Sequence, residues 1–372
     1  MNKLKLTTII GTRPELIKLS EIIKKADLVF EHTFVHTGQN YDANLNDIFY
    51  SDLSLRKPDV YLDVVGKNLG HTIGNVIGKS YDFLSENRPD AVLILGDTNS
   101  ALAAISAKRL KIPIFHMEAG NRCFDENLPE EINRRMIDHI SDVNLPYSEH
   151  ARRNLLNEGI KSEYTFVTGS PMREVLGIHK QKISESKILS ALGLKKKKYI
   201  ILSAHREENI DNEKTFFSLM SAINTMAEEY QIPIIYSVHP RSAKFIKERN
   251  FTFHNGVKPM PPFAFTDYMT LQMNAFCVVS DSGTLAEESS ICGFPAVSIR
   301  TSTERPEAME KGAFLLGGIN KGSILQAVDI VICRNNIPRD TLDYSDANIS
   351  DKVIALIQGY TGIVNHNVWR KG

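Results

Sequence analysis

Net charge is the first thing this 372-residue chain lacks: 44 Lys and Arg balance 44 Asp and Glu. That balance excludes a globally basic binder of nucleic acid or membrane surfaces. Cysteine is scarce. Cys123, Cys277, Cys292 and Cys333 stand far apart with no C-x-x-C pair, which excludes a disulfide framework or zinc ribbon and suits a reducing compartment. No window reaches the roughly 18 apolar residues of a membrane span. The residues after Met1 carry no apolar core or small-residue cleavage site of a secretory signal, so a cytoplasmic chain without membrane insertion is expected. No G-K-[ST] and no G-x-G-x-x-G follows the first strand-like run, which argues against a Walker loop and a bound NAD. His36, His116 and His139 are not spaced as metal ligands, so no metal is expected.

What is present is an ordinary globular composition, 42% apolar and 24% charged, in a chain long enough for roughly two domains. Short β-rich runs alternate with longer amphipathic stretches, the pattern of a parallel α/β architecture. Strands are expected at Leu6–Ile10, Thr33–Thr37, Ala91–Leu95, Pro113–Met117, Val143–Leu145 and Thr165–Thr168. After the charge run Lys195–Lys198, read as a solvated loop edge, a second set begins: Tyr199–Leu202, Ile234–Ser237, Cys277–Ser280 and Ala296–Ile299. The expected fold is two Rossmann-like domains facing a cleft, residues 1–175 and 180–349, with a C-terminal helix over 350–372 packing back on the first. Gly70, Gly74 and Gly78 recur at helical spacing and suggest close helix packing, within the chain or across a subunit contact.

Chemistry concentrates in the turns that end the strands, where open α/β sheets bind ligands. Gly11-Thr12-Arg13-Pro14-Glu15 combines a helix N-terminus with a fixed charge, Arg13, and so suits an anion. Asp281-Ser282-Gly283-Thr284 repeats the arrangement, with Glu287 and Glu288 on the following turn and Arg305 placed to neutralise phosphates; a plain N-cap is the competing explanation. Two anion turns on two α/β halves suggest one nucleotide ligand. Asp97, Glu118 and Glu130 stand at strand or helix ends, where three carboxylates at one mouth would raise one another's pKa for acid–base work. Ion pairs with Arg122, Arg134 or Arg135 are the bland alternative. His205, just beyond a strand of the second half, suits proton donation to a leaving phosphate.

Taken in order, Gly11-Thr12-Arg13-Pro14-Glu15-Leu16-Ile17-Lys18, Gly96-Asp97-Thr98, His116-Met117-Glu118-Ala119-Gly120, Pro129-Glu130-Glu131-Ile132-Asn133-Arg134, Asp281-Ser282-Gly283 and Glu304-Arg305-Pro306-Glu307 resemble the non-hydrolysing UDP-N-acetylglucosamine 2-epimerases. The resemblance runs through essentially the whole chain. It implies a glycosyltransferase B type of fold, a homodimer, a UDP-N-acetyl-sugar substrate and no cofactor. By position it implies that Arg13, His205, Ser282, Gly283 and Arg305 contact the diphosphate, Glu288 the ribose and Tyr268 the uracil. Asp97, Glu118 and Glu130 match the catalytic acids, and Lys18 matches a basic residue of the active site. The short loop Asn121–Leu128 looks most like the branch making UDP-N-acetyl-L-fucosamine for capsules and O-antigens. Thr37-Gly38-Gln39-Asn40-Tyr41-Asp42 departs from the glutamine-histidine sequence linked to allosteric control. A retaining glycosyltransferase would have no use for the acid set, and a nucleotide-sugar sensor would lack it.

Overall fold

The computed structural model describes residues 3–38, 43–333 and 340–371, so Gln39–Asp42 of the stretch just named lie outside the described residues. The chain divides into two units, residues 1–177 with 343–372, and residues 178–342.

In the first unit six parallel strands form one sheet: β1 (Lys5–Ile10), β2 (Glu31–His36), β3 (Val60–Tyr61), β4 (Ala91–Leu95), β5 (Ile114–Met117) and β6 (Val143–Leu145). Their order is β3-β2-β1-β4-β5-β6. The second unit has β7 (Ile200–Ser203), β8 (Ile234–Ser237), β9 (Val257–Met260), β10 (Cys277–Ser280), β11 (Ala296–Ser298) and β12 (Leu315–Leu316), also all parallel, in the order β12-β11-β10-β7-β8-β9. Numbered within its own unit, each sheet runs 3-2-1-4-5-6, the doubly wound order whose ligand crevice opens where the winding reverses. That switch point lies between β1 and β4 in one unit and between β7 and β10 in the other.

The strands are apolar on both faces because helices cover both. Ile9, Val35, Val92 and Ile94 pack against Val76 and Leu84 of the helix Leu69–Asn87 and against Ala103 and Ala107. In the second unit Ile200, Leu202 and Val279 pack with Phe216, Leu219 and Ile223 of the helix Glu213–Tyr230. Each of the Val, Leu, Ile and Phe side chains among these contributes about 1.5–3 kcal/mol when fully buried. The helix Ile349–Asn367 belongs to the first unit, where Asp351 pairs with Lys25 and Ser350 binds Glu174 through its N–H and hydroxyl.

Two expectations need correction. Thr165–Thr168 is no strand of the sheet: it runs beside the end of β6 through an isolated bridge from Thr165 to Asn144 and hydrogen bonds from the Phe166 and Thr168 N–H groups to Asn144 and Pro146, without a continuous ladder. Gly74 and Gly78 lie exposed on their helix with open space where a Cβ would stand, so they pack against none of the described residues of this chain. No described helix is long and apolar enough to cross a membrane.

Candidate functional site

At the first switch point β1 ends at Ile10, and the chain turns through Gly11 into the helix Arg13–Val29. A Cβ on Gly11 would lie 1.7 Å from Ser100 Oγ, so only glycine lets the two turns meet. Glu15, buried in the first helical turn, reaches back to accept from the N–H groups of Gly11 (2.6 Å) and Thr12 (3.2 Å). Its other oxygen accepts from Thr98 Oγ1 (2.5 Å), which locks the β1 turn to the β4 turn. Burial pushes the Glu15 carboxyl up to about 7 against the pull of those three hydrogen bonds, with the Asp97 charge adding to the rise. Pro14 and the helix start hold Arg13 half-buried, its guanidinium 5.7 Å from the centre of the Phe49 ring.

The candidate acids are each held differently. Asp97 follows β4 and receives Arg134 through Nη2 (2.6 Å) and Nε (2.8 Å), while Asn133 binds its carbonyl (3.0 Å). Glu118 follows β5 in a left-handed conformation at φ 64°. Its Oε2 lies 2.8 Å from Nζ of the buried Lys18, which sits 5.5 Å from the centre of the Tyr147 ring. Glu130 is half-buried in the first turn of the helix Pro129–Ile140, and its side chain makes no hydrogen bond or ion pair with any described residue. The expected bare trio of mutually repelling carboxylates is therefore not what the fold builds. Asp97 is matched with Arg134, as the ion-pair alternative has it, and Glu118 with Lys18, while the Glu130 side chain has no such cation among the described residues.

The loop between Glu118 and Glu130 is pinned at both ends. Arg122 is buried and donates to Glu158 (2.7 and 2.6 Å), Asp138 (2.7 Å) and the Asn121 carbonyl (2.7 Å). Glu131, also buried, accepts from the N–H groups of Cys123 (3.1 Å) and Phe124 (3.3 Å) and pairs with Arg134 and Arg135. Phe124 is left 73% exposed at φ 55°, whereas Leu128 is only 4% exposed.

At the second switch point Asp281 was open to reading as a cap for the helix Leu285–Cys292. It points instead to the β7 turn, accepting from the N–H groups of His205 (2.8 Å) and Arg206 (2.9 Å) and from Asn209 Nδ2 (3.0 Å). His205 Nδ1 stands 3.0 Å from its Oδ1. Burial raises the Asp281 carboxyl, but His205 and these donors outweigh it and hold the group below the ordinary carboxylate range. Ser282 Oγ lies 3.0 Å from Thr284 Oγ1. Gly283 passes so close to Glu304 that a Cβ would stand 2.9 Å from Oε1. Glu304 is balanced by Arg300 Nη1 at 2.7 Å, with Arg206 Nη2 3.7 Å from its other oxygen. Arg305 is buried on Glu287 Oε1 (2.9 and 3.2 Å), and Glu288 accepts from Gln272 (3.0 Å). Tyr268 is half-buried on the helix Phe265–Asn274, and burial lifts its phenol above the ordinary range.

The sequence reading placed Asp97, Glu118, Glu130, His205 and the Ser282 turn at element ends, where the structure has them. It missed Glu15, Glu131 and Asp281 as the groups that hold those turns in shape. For Arg134 the signal was its spacing, since Glu130, Arg134 and Asp138 repeat every four residues along one helix face.

Two doubly wound parallel sheets with their polar turns at the switch points make this an α/β protein of the glycosyltransferase B type. A profile described as UDP-N-acetylglucosamine 2-epimerase matches residues 23–358. The structure of UDP-N-acetylglucosamine 2-epimerase from Rickettsia bellii is similar with a TM-score of 0.93 at 45% identity, covering 100% of each chain. The Methanocaldococcus jannaschii UDP-GlcNAc 2-epimerase, solved in complex with UDP-GlcNAc and UDP, follows at 0.90 and 32%, covering 95% of this chain and 99% of that one. The UDP-2,3-diacetamido-2,3-dideoxy-D-glucuronate 2-epimerase of Pseudomonas aeruginosa is 33% identical over 87% of this chain and 91% of its own. The chain belongs to the UDP-N-acetylglucosamine 2-epimerase family, isomerases that act on nucleotide sugars.

Proposed function

We propose that the chain inverts C2 of UDP-2-acetamido-2,6-dideoxy-L-talose to give UDP-N-acetyl-L-fucosamine, for capsular polysaccharide or O-antigen synthesis. The observation that carries the sugar choice is the pinned loop Asn121–Leu128, which turns Phe124 outward between two candidate acids. Leu128 drops out as a sugar contact because it is buried. A C6 methyl suits an apolar wall; a C6 hydroxyl placed there unpaired costs about 1–3 kcal/mol.

The C2 proton is not acidic while the sugar is intact, because no carbonyl adjoins that carbon. The reaction therefore begins with loss of UDP: the C1–O bond breaks, a carboxylate takes the C2 proton, and a glycal remains. A proton then returns to the opposite face of C2 as the UDP oxygen re-forms its bond to C1. Asp97, Glu118 and Glu130 carry the proton transfers. Arg13, Ser282, Gly283, Arg305 and His205 stabilise the departing diphosphate, the largest electrostatic demand. Glu288 and Tyr268 hold the ribose and uracil, and Lys18 fixes Glu118. The resemblance supports a homodimer, and the free cysteines among the described residues suit the cytoplasm.

A second reading, interconversion of UDP-N-acetylglucosamine and UDP-N-acetylmannosamine, is favoured by the names of the Rickettsia and Methanocaldococcus relatives. The Pseudomonas relative is named for a different sugar at 33% identity, against 32% for the Methanocaldococcus structure, so identity at this level does not fix the sugar. Side-by-side assays of both substrates do: kcat/KM should favour the 6-deoxy sugar by at least ~10-fold. Equal or better use of UDP-N-acetylglucosamine selects the second reading.

A further inference from the structure

Beneath the two acid-bearing turns of the first unit, β5 places an imidazole where its neighbours Phe115 and Met117 are buried apolar side chains. His116 is fully buried and lies two residues before Glu118, which follows the strand. Its Nε2 is 2.8 Å from the carbonyl oxygen of Gly96, the residue before Asp97. A carbonyl only accepts, so this nitrogen carries a hydrogen and donates it. The other ring nitrogen, Nδ1, is 3.0 Å from Asp138 Oδ1. Asp138 in turn accepts from the N–H of Gly120 (3.1 and 3.2 Å), two residues after Glu118, and from Arg122. One buried pair thus reaches the Gly96–Asp97 turn on one side and the Glu118–Gly120 turn on the other, without touching either carboxylate. Glu118 holds its left-handed backbone between these ties.

An apolar side chain at 116 would complete the sheet core with no desolvation penalty, whereas a buried imidazole–carboxylate pair carries one. What the polar pair supplies is a fixed spacing between two turns. Resting on the reading of Asp97 and Glu118 as catalytic acids, we propose that His116 and Asp138 are positioning residues that set the separation of those two carboxylates for proton transfer at C2. Displacements on the order of 1 Å in such groups cost up to about 100-fold in rate.

The test follows C2 hydrogen exchange and turnover by NMR in D2O, with UDP-N-acetylglucosamine and UDP-2-acetamido-2,6-dideoxy-L-talose as probes. UDP affinity is measured by calorimetry and folding by thermal melts. His116→Leu and Asp138→Asn should lower kcat by about 10–100-fold while KM and UDP affinity change less than about two-fold. His116→Gln keeps an amide donor for the Gly96 carbonyl and should recover part of the loss. In an Asp97→Asn background His116→Leu should add no further loss, because it acts through Asp97. Where His116→Leu does not fold, His116→Gln and Asp138→Asn carry the same comparison. Full kcat in the folded His116 and Asp138 variants, or losses that add to Asp97→Asn, overturns the positioning role while the acids stand. Full turnover by Asp97→Asn and Glu118→Gln, or a wild type inactive on both probes, overturns the reading of the acids and the positioning role with it.

Discussion

Replacing Glu15 by Gln isolates one buried proton. The carboxyl is pushed from an ordinary 4.5 up to about 7 by burial, against hydrogen bonds from Thr98, Gly11 and Thr12. At about 1.4 kcal/mol for each pH unit, the difference amounts to about 3 kcal/mol. Its sign follows from where the proton sits. Below pH 4.5 the folded and unfolded chains both hold it, and the group is neutral to stability. Between 4.5 and about 7 the unfolded chain has released the proton while the folded chain keeps it, so stability falls as pH rises. Above 7 the loss is complete. Glutamine preserves the local bonding: its oxygen can accept from Gly11 and Thr12, and its amide can donate to Thr98 Oγ1. Urea unfolding of both proteins should therefore coincide near pH 4.5 and diverge to about 3 kcal/mol in favour of Glu15→Gln by pH 8. Thermal melts should show the same divergence, at about 2–4 °C per kcal/mol for a unit of this size. A difference that stays constant across this range, or that favours the wild type more at pH 8 than at pH 4.5, refutes the reasoning.

Other outcomes follow from the same geometry. Asp97→Asn, Glu118→Gln and Glu130→Gln should each lower turnover by roughly 100-fold or more while calorimetric UDP binding survives; near-normal turnover in two of them removes the acid set. Ser282→Ala and Arg305→Lys should weaken UDP by about 10-fold, and unchanged affinity in both places the diphosphate elsewhere. Arg305→Ala is the poorer variant, because it strands the buried Glu287 carboxylate. Phe124→Asn should raise stability by about 1 kcal/mol by relieving a left-handed phenylalanine. It should also erode discrimination between 6-deoxy and 6-hydroxy sugars, which competition assays read directly.

Much of this architecture was legible in apolar runs bounded by turn residues. Ala91–Leu95, Val143–Leu145, Ile234–Ser237 and Cys277–Ser280 are strands over the residues their patterns mark. Val60–Tyr61 and Leu315–Leu316 are two residues long and have no room for a period. Val257–Met260 escaped because Pro259 reads as a breaker, although an edge strand tolerates it. Turn chemistry announced the candidate site where one residue type does one job, as in Gly96-Asp97 or Ser282-Gly283. It was silent where a charged residue works by being buried. Glu131 and Arg134 look like solvated helix charges until the fold turns them inward to hold a loop and a carboxylate. Nothing in a linear sequence distinguishes Glu15 as a helix's first-turn acid from Glu15 as the clasp between two turns.

The return of residues 343–372 to the first unit sets an order of events during synthesis. All of residues 178–342 must be made before the helix Ile349–Asn367 exists. The second unit, one continuous stretch, has its whole sequence in hand while the first still waits for its closing helix. Domains commonly fold as units while the chain emerges, so the nascent first unit spends that interval with the face around Lys25 and Glu174 uncovered. At about 5–20 residues per second, the wait for those 165 residues lasts on the order of 8–33 seconds, long enough for a chaperone to find that face first.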